Sequence, residues 1–253
     1  MNWNDRLHEW NARRLFQRVP TVANDTDYLR RMGLNVLPGE RLFSELAPRV
    51  WFIPNCVDPD RFVPVPTSAP RDPDRPVILV PRQICEDRGI HLAIDAFALL
   101  VQKRPGAHLA IVGPRRSQAY FEFCQQRVEH LSLSDRVRFV PPVPNEAMAE
   151  LYRTADVTLI PTLRREGTSL SALESMACGT PAVVTDVAGL RDLPAFRAAP
   201  NSAALAAGLD AVLSARHVEA DRQRRLVREH FGYGNWSAAW MRVLATLADR
   251  RME

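Results

Sequence analysis

Two carboxylates and two arginines carry most of the chemistry that this sequence offers. Glu166 and Glu174 occur in the stretch Glu166-Gly-Thr-Ser-Leu-Ser-Ala-Leu-Glu174, and Arg82 and Arg88 occur together earlier in the chain. A guanidinium group binds a diphosphate through parallel hydrogen bonds, and a carboxylate accepts hydrogen bonds from a ribose diol or from sugar hydroxyls. These residue types suit a sugar nucleotide, with cations at the diphosphate and anions at the hydroxyls.

The two carboxylates lie on either side of a predicted helix start. The run 156–160 predicts a strand, which Pro161 and the polar residues through Arg165 end. A helix follows, because four apolar residues recur at helical spacing and predict its buried face: Leu170, Leu173, Met176 and Ala177. The free backbone N–H groups at Thr168 to Leu170 would favour a bound anion.

Each charged residue also has a purely structural interpretation. Glu174 falls at the edge of the apolar face, so we expect its carboxylate to be partly buried and to need a polar partner. Ser171 and Glu174 match the Ser-x-x-Glu capping box of a helix start. Arg82 and Arg88 are compatible with surface ion pairs, and Glu166 with a solvated loop position.

From residue 77 onwards, predicted strands and helices alternate. The strands are 77–80, 108–112, 137–140, 156–160 and 182–185, and the helices before Glu166 are 89–103, 118–131 and 145–154, the last capped by Asn145. This alternation predicts an α/β fold with a doubly wound, mainly parallel sheet. Ligands of such sheets bind beyond the carboxyl ends of the strands, so we expect four loops to face one crevice: 81–88, 113–117, 141–144 and 161–169.

We divide the chain into four parts: an N-terminal helical segment, 1–53; a proline-rich hinge or linker, 54–76; the Rossmann-like domain, 77–200; and C-terminal helices, 201–253. The first part is predicted to contain an amphipathic helix over 1–19, a helix near 27–32 and a strand over 50–53. The tryptophans and arginines of 1–19 fit packing on their own domain and also a peripheral contact with a membrane or another subunit. The Asp-Pro-Asp triplets at Asp58 and Asp72 predict turns rather than metal sites.

Composition excludes several classes of protein. The chain has 253 residues and a formal charge of +4, and its basic residues are arginines apart from Lys103. They alternate with acids, which argues against nucleic-acid binding. The four cysteines show no metal-ligand spacing, which favours a reducing cytoplasmic location. No window has the apolar length of a membrane span, and the N-terminus lacks the apolar core of a signal peptide.

Several segments together resemble the donor-binding half of the retaining GT-B glycosyltransferases, in particular family 4. The most specific is Glu166-Gly-x6-Glu174, followed by Ser-Met-Ala-Cys-Gly-Thr-Pro181 and Val183-Val-Thr-Asp-Val-Ala-Gly189. Three further segments are similar to family motifs: Pro54-Asn-Cys-Val-Asp58, Arg82 to Gly89 and Ile111-Val-Gly113. The resemblance runs from about Val50 to the C-terminus, and it implies a Rossmann-like half of a GT-B fold.

The resemblance also implies roles for individual residues. Arg82 and Arg88 would hold the diphosphate, Glu166 the transferred sugar, Glu174 the ribose and the backbone near Val143 the base. Glu166, Arg82 and Arg88 would be the catalytic residues. The remaining donor contacts would be Gly113, Gly167, Thr168, Ser169 and Leu170. The donor would be a UDP- or GDP-linked sugar, with no metal and no other cofactor.

The chain departs from the family pattern at several of these positions. Pro81 and Cys56 replace glycines, Arg88 replaces a lysine, Thr168-Ser169 stand where Phe-Gly is common, and Pro114-Arg-Arg replaces the second glycine of Gly-x-Gly. Because arginine keeps the charge of lysine but not its shape, we expect donor binding with altered geometry.

Three functional hypotheses follow. About 50 residues precede the hinge, enough for a remnant of an acceptor-binding domain, its last segment, and no more. We therefore expect a glycosyltransferase whose acceptor side lies in a separate subunit or in residues beyond this stretch. The alternative is a non-catalytic module that binds a nucleotide sugar or a partner protein. A dinucleotide oxidoreductase ranks third, because no Gly-x-Gly-x-x-Gly follows the first strand of the sheet.

Overall fold

The computed structural model describes residues 12–16, 18–65 and 72–249. Most of the amphipathic helix predicted over 1–19 lies outside these residues, as does the middle of the predicted linker. The strands are β1 (Thr21–Ala23), β2 (Ser44–Ala47), β3 (Val50–Phe52), β4 (Val77–Pro81), β5 (His108–Val112), β6 (Val137–Val140), β7 (Val157–Ile160), β8 (Ala182–Thr185) and β9 (Phe196–Ala198). The α-helices with defined bounds are α1 (Thr26–Arg31), α2 (Ile90–Lys103), α3 (Gln118–His130), α4 (Met148–Thr154), α5 (Leu170–Ala177), α6 (Ser202–Ser214), α7 (Arg216–His230) and α8 (Tyr233–Asp249).

Strands β4 to β9 form one parallel sheet in the order β6-β5-β4-β7-β8-β9. The predicted α/β class and doubly wound, mainly parallel sheet are therefore confirmed. The chain runs outwards from β4 through β5 to β6, then returns to the other side of β4 for β7 to β9. The order reverses between the neighbouring strands β4 and β7, and ligands of open α/β sheets bind at such a switch point, beyond the carboxyl ends of the strands.

The sheet is covered on both faces, which explains why its strands read as near-continuous apolar runs. Within β4, Ile78 and Val80 belong to a core with α2, α3 and α6. Leu79, between them, belongs to a second core with α4, α5 and α7. Side chains of successive strand residues point to opposite faces, so β4 contributes to both cores and fixes the centre of the domain.

A second, smaller sheet has the order β1-β3-β2, with β1 parallel and β2 antiparallel to β3. The sequence predicts only β3 of this sheet, because three- and four-residue strands carry too little periodicity to be recognised. Helix α8 packs on it, with Val243 buried in a cluster with Trp51 and Ile53. Helix α8 therefore packs against the N-terminal segment.

Two local predictions are wrong, and the capping-box alternative for Ser171 and Glu174 is excluded. Residues Asn145–Ala147 form a 3-10 turn and the Asn145 side chain caps no helix, since α4 begins only at Met148. Helix α5 is preceded by Ser169 as its cap residue, which places Ser171 inside the helix and rules out the capping box. Leu170 is 49% exposed instead of buried, although Leu173, Met176 and Ala177 of the same predicted face are buried.

The turns predicted at the two Asp-Pro-Asp triplets are confirmed. Asp58 and Asp72 each accept a hydrogen bond from a backbone N–H two residues later, at 2.9 and 3.0 Å, so both Asp-Pro-Asp triplets form turns. In the described part of the chain, no helix is both long and apolar enough to cross a membrane.

Candidate functional site

A cavity of about 350 Å³ opens at the carboxyl ends of β4 and β5. Three of the four predicted loops line it, together with the starts of α4 and α5. The lining residues are Pro81, Arg82, Gln83, Arg88, Val112, Gly113, Pro114, Pro142, Val143, Met148 and Ser171. The fourth loop, 161–169, reaches the cavity through the side chain of Glu166, which binds two of the lining arginines.

Arg82, Arg88 and Glu166 form one charged cluster. Both guanidinium groups donate to the same Glu166 oxygen, Oε2. Arg82 also donates to the Thr162 hydroxyl at 3.0 Å. The separate cation and anion subsites expected from the sequence are thus in direct contact here. Arg82 leaves β4 and Glu166 follows β7, and these two strands are neighbours, so their loops meet although they are 84 residues apart.

The Arg82 guanidinium is nearly dehydrated. Its side chain is 9% exposed and that of Glu166 is 10% exposed. Burial lowers the pKa of Arg82, and the charge of Glu166 opposes this shift. Its Nε atom is buried without a hydrogen-bond partner among the described residues. A buried guanidinium that keeps unused hydrogen-bonding capacity can accept a further anionic ligand.

Close backbone packing at two glycines sets the positions of the arginines. A Cβ atom at Gly113 would lie 2.3 Å from the Arg82 carbonyl oxygen, and one at Gly89 would lie 2.0 Å from the Pro161 carbonyl oxygen. Gly89 also has a φ of +67°, a left-handed conformation that favours glycine. These contacts hold the loop after β4 between the loops after β5 and β7, which directs Arg88 towards Glu166.

Glu174 has the polar partner that its position requires. The hydroxyl of Tyr152 in α4 donates to Glu174 Oε2 at 2.8 Å. Burial raises the pKa of Glu174, while the Tyr152 hydrogen bond and the charge of Arg61 oppose the shift. Glu174 is therefore a partly buried carboxylate whose hydrogen-bond donor, the Tyr152 hydroxyl, is uncharged. Glu166 differs, because two arginines compensate its charge.

The N-terminal segment and the hinge hold the loop between the two glutamates. The Thr168 hydroxyl donates to the carbonyl oxygen of Asn24, and the Asn55 side chain donates to the Thr168 carbonyl oxygen at 2.6 Å. Gly167 lies against Asn24, where a Cβ atom would come within 2.6 Å of the amide. Gly167 and Thr168, which were predicted to contact the donor, thus contact Asn24 and Asn55 instead.

The predicted site residues divide into three groups. Arg82, Arg88, Gly113 and Val143 line the cavity. Glu166 and Glu174 are not among its lining residues; Glu166 binds both arginines, and Glu174 binds Tyr152. Gly167, Thr168, Ser169 and Leu170 do not line it; Ser169 is 2% exposed, and its hydroxyl has no partner among the described residues.

Sequence reasoning missed two polar contacts of the site, Thr162 and Tyr152. Thr162 immediately follows Pro161 at the end of β7, and a polar residue at the carboxyl end of a parallel strand is a usable signal. Tyr152 occupies a buried position of a short helix, where its hydroxyl requires a partner. Only the packing of α4 against α5 identifies that partner as Glu174.

The chain resembles known proteins over most of its length. The sequence model of a family described as "Glycosyl transferases group 1" matches residues 66–229. The chain is also similar to D-inositol 3-phosphate glycosyltransferase 2 of Catenulispora acidiphila, with 32% identity over 218 residues, which cover 78% of this chain and 50% of that protein. The chain therefore spans about half the length of this relative.

Two solved structures share the fold. Sucrose-phosphate synthase of Thermosynechococcus elongatus aligns with a TM-score of 0.70 and 25% identity, over 91% of this chain and 58% of that chain. HepE of Anabaena, solved in complex with UDP and glucose, aligns with a TM-score of 0.76 and 18% identity, over 95% of this chain and 66% of that chain. The likeness to HepE concerns the fold alone.

Proposed function

Since this chain belongs to the glycosyl transferases group 1 family, we propose that it is the donor-binding half of a retaining, metal-independent glycosyltransferase of family 4. It would bind a UDP- or GDP-linked sugar in the cavity at the carboxyl ends of β4 and β5. The acceptor side would lie in a separate subunit or in residues beyond this stretch of sequence.

One observation carries this proposal: Arg82 and Arg88 meet at one edge of a cavity, at the switch point of a parallel sheet. Two guanidinium groups supply the positive charge and the paired donors that a diphosphate needs. The fold relative HepE, which binds UDP and glucose, supports a nucleotide sugar as the ligand of this fold. Val143 at the opposite wall supplies backbone groups for the base.

In the proposed reaction, the positive charges of the two arginines stabilise the leaving group. The oxygen of an acceptor hydroxyl bonds to the anomeric carbon from the face that the departing group leaves, as the bond from that carbon to the diphosphate oxygen breaks. The hydroxyl proton passes to the departing diphosphate oxygen. Arg82 and Arg88 stabilise the negative charge on the departing nucleoside diphosphate. Glu166 orients the sugar hydroxyls. Because Glu166 binds both arginines in the free chain, a diphosphate must displace at least part of this ion pairing.

Calorimetry with UDP- and GDP-sugars and with free UDP and GDP tests the proposal. We expect Arg82→Ala to weaken nucleotide binding by about tenfold to a hundredfold, the loss of charge-assisted hydrogen bonds. Glu166→Gln removes the competing anion, so it should tighten UDP or GDP binding by about threefold. In the complete enzyme, Arg82→Ala and Glu166→Ala should both abolish transfer.

The alternative, a non-catalytic module, predicts different outcomes. A pure interaction module would bind no donor at millimolar concentration. A nucleotide-sugar-binding module would bind the donor but show no transfer when an acceptor-side partner is supplied. Full transfer activity of either alanine variant would contradict the roles given to Arg82 and Glu166.

A further inference from the structure

We propose that Tyr152 is a positioning residue of the donor site: its hydroxyl holds one oxygen of Glu174 so that the other oxygen faces the ribose of a bound nucleotide. The inference rests on the proposed function, because it takes the ribose diol to be the group that Glu174 binds. Neither the sequence motifs nor the comparisons assign a role to Tyr152.

The contact between the two side chains is specific. Tyr152 is 0% exposed, and its hydroxyl donates to Glu174 Oε2 at 2.8 Å. Hydrogen bonds to a carboxylate are stronger than those between neutral groups. Among the described residues, no hydrogen bond to the other oxygen, Oε1, is formed. One Glu174 oxygen is therefore anchored within the protein, and one keeps its full capacity for a ligand.

The pair lies one helical turn beyond two residues of the cavity wall. Met148 of α4 and Ser171 of α5 line the cavity. Tyr152 follows Met148 by one helical turn, and Glu174 follows Ser171 by one helical turn, so each lies on the cavity side of its helix. The two helices thus present the hydroxyl and the carboxylate to each other, one helical turn beyond two residues that line the cavity.

Packing prevents the Tyr152 ring from moving. The ring meets Phe62 of the hinge edge to face, with ring centroids 6.3 Å apart. The backbone of Tyr152 is also held, because the Thr180 hydroxyl donates to its carbonyl oxygen at 2.7 Å. A close-packed aromatic ring keeps a single orientation. The hinge and α4 thereby determine where the Glu174 carboxylate points.

The Tyr152→Phe variant tests this role, because it keeps the ring and removes only the hydroxyl. Calorimetry would compare UDP and GDP with their 2′,3′-dideoxy analogues, using whichever base binds the wild-type chain more tightly. We expect Tyr152→Phe to weaken binding of the ribonucleotide by about threefold to tenfold. Binding of the dideoxynucleotide, which lacks the diol, should be unchanged.

Tyr120→Phe is the matched control. The Tyr120 hydroxyl is also hydrogen-bonded, at 2.7 Å to His91 Nδ1, but Tyr120 does not line the cavity. This variant should leave the affinity for both nucleotides unchanged. It separates the loss of a hydroxyl near Glu174 from the general effect of losing a half-buried hydroxyl.

Three results would overturn the inference, and they differ from failure of the proposed function. The first is unchanged ribonucleotide affinity in Tyr152→Phe. The second is an equal loss for the ribonucleotide and the dideoxynucleotide. The third is a wild-type chain that binds both nucleotides equally well. Each of these leaves nucleotide binding intact, whereas a wild-type chain that binds neither UDP nor GDP would contradict the proposed function itself.

Discussion

Glu166 and Glu174 belong to one short stretch of sequence, yet their surroundings give them opposite electrostatic roles. Two guanidinium groups bind Glu166, so its charge is compensated within the protein. Glu174 has a tyrosine hydroxyl as its nearest donor, and burial raises its pKa. At the scale of single residues, two ion pairs therefore compensate the charge of Glu166 in the free site, whereas the Glu174 carboxylate is partly buried with a neutral donor.

This difference predicts how stability of the free chain depends on pH. A raised pKa in the folded state means that the contribution of Glu174 to stability is present at low pH and is lost as the pH rises through that pKa. Glu174→Gln removes this titration and keeps an acceptor for Tyr152. We expect the variant to gain stability relative to wild type as the pH rises from the acid range to neutrality.

Urea unfolding of both proteins at several pH values measures the effect. The other ionisable groups that act on this site, Arg61, Tyr152 and Cys178, are present in both proteins and cancel in the comparison. A difference in the free energy of unfolding that stays constant with pH would contradict the prediction.

At the scale of elements, the site depends on how closely three strand-end loops approach one another. Gly113 follows β5 and lies against the backbone of Arg82, which follows β4. Because the obstructing atom is a backbone oxygen, a side chain at this position cannot be relieved by rotating a neighbour. The positions of Arg82 and Arg88 relative to Glu166 therefore depend on how the loops pack as well as on the arginine side chains.

Gly113→Ala should therefore impair both stability and binding. We expect a loss of about 1–3 kcal/mol in the free energy of unfolding and a clear loss of affinity for UDP or GDP, measured by denaturation and calorimetry. Gly234→Ala in the first turn of α8 is the control, since a Cβ atom there meets nothing within 4 Å. That substitution should be neutral or slightly stabilising. Equal effects of the two substitutions would contradict the importance of the Gly113 contact.

At the scale of the whole molecule, the small sheet and the large sheet are joined through buried polar contacts. Asp192, which is 3% exposed, accepts hydrogen bonds from the backbone N–H and hydroxyl of Thr26 at 2.9 and 2.6 Å. It also accepts one from the Gly39 N–H at 3.0 Å. This carboxylate connects the start of α1 to the domain that carries the cavity, next to the contacts of Asn24 with Thr168.

Asp192→Ala should release this connection. It leaves two backbone donors and one hydroxyl without partners, and we expect a loss of about 2–4 kcal/mol in the free energy of unfolding. Hydrogen exchange should accelerate first in α1. Asp221→Ala, at an exposed position of α7, should change stability by less than about 0.5 kcal/mol. Similar losses in the two variants would show that Asp192 does not join the two sheets.

Much of the fold could be predicted because its signals are local. Strands β5, β6 and β8 have the predicted bounds, and the limits of α2 and α3 differ from prediction by one residue, since periodicity and turn residues lie within each segment. The short strands β1, β2 and β9 were not predicted, because three or four residues contain too little of this local signal. Asn145 and Ser171 resemble helix caps in sequence, but the helix start depends on where the preceding loop leaves the sheet.

The sequence by itself determined which residues have the chemistry of a nucleotide-sugar site and that their loops share one edge of a parallel sheet. Only the tertiary structure decided which charges meet. Arg82 contacts Glu166 because β4 and β7 are neighbours, and Glu174 contacts Tyr152 because α4 packs on α5. Strand order and helix packing arise from burial of apolar surface between distant segments, so no local pattern contains these pairings.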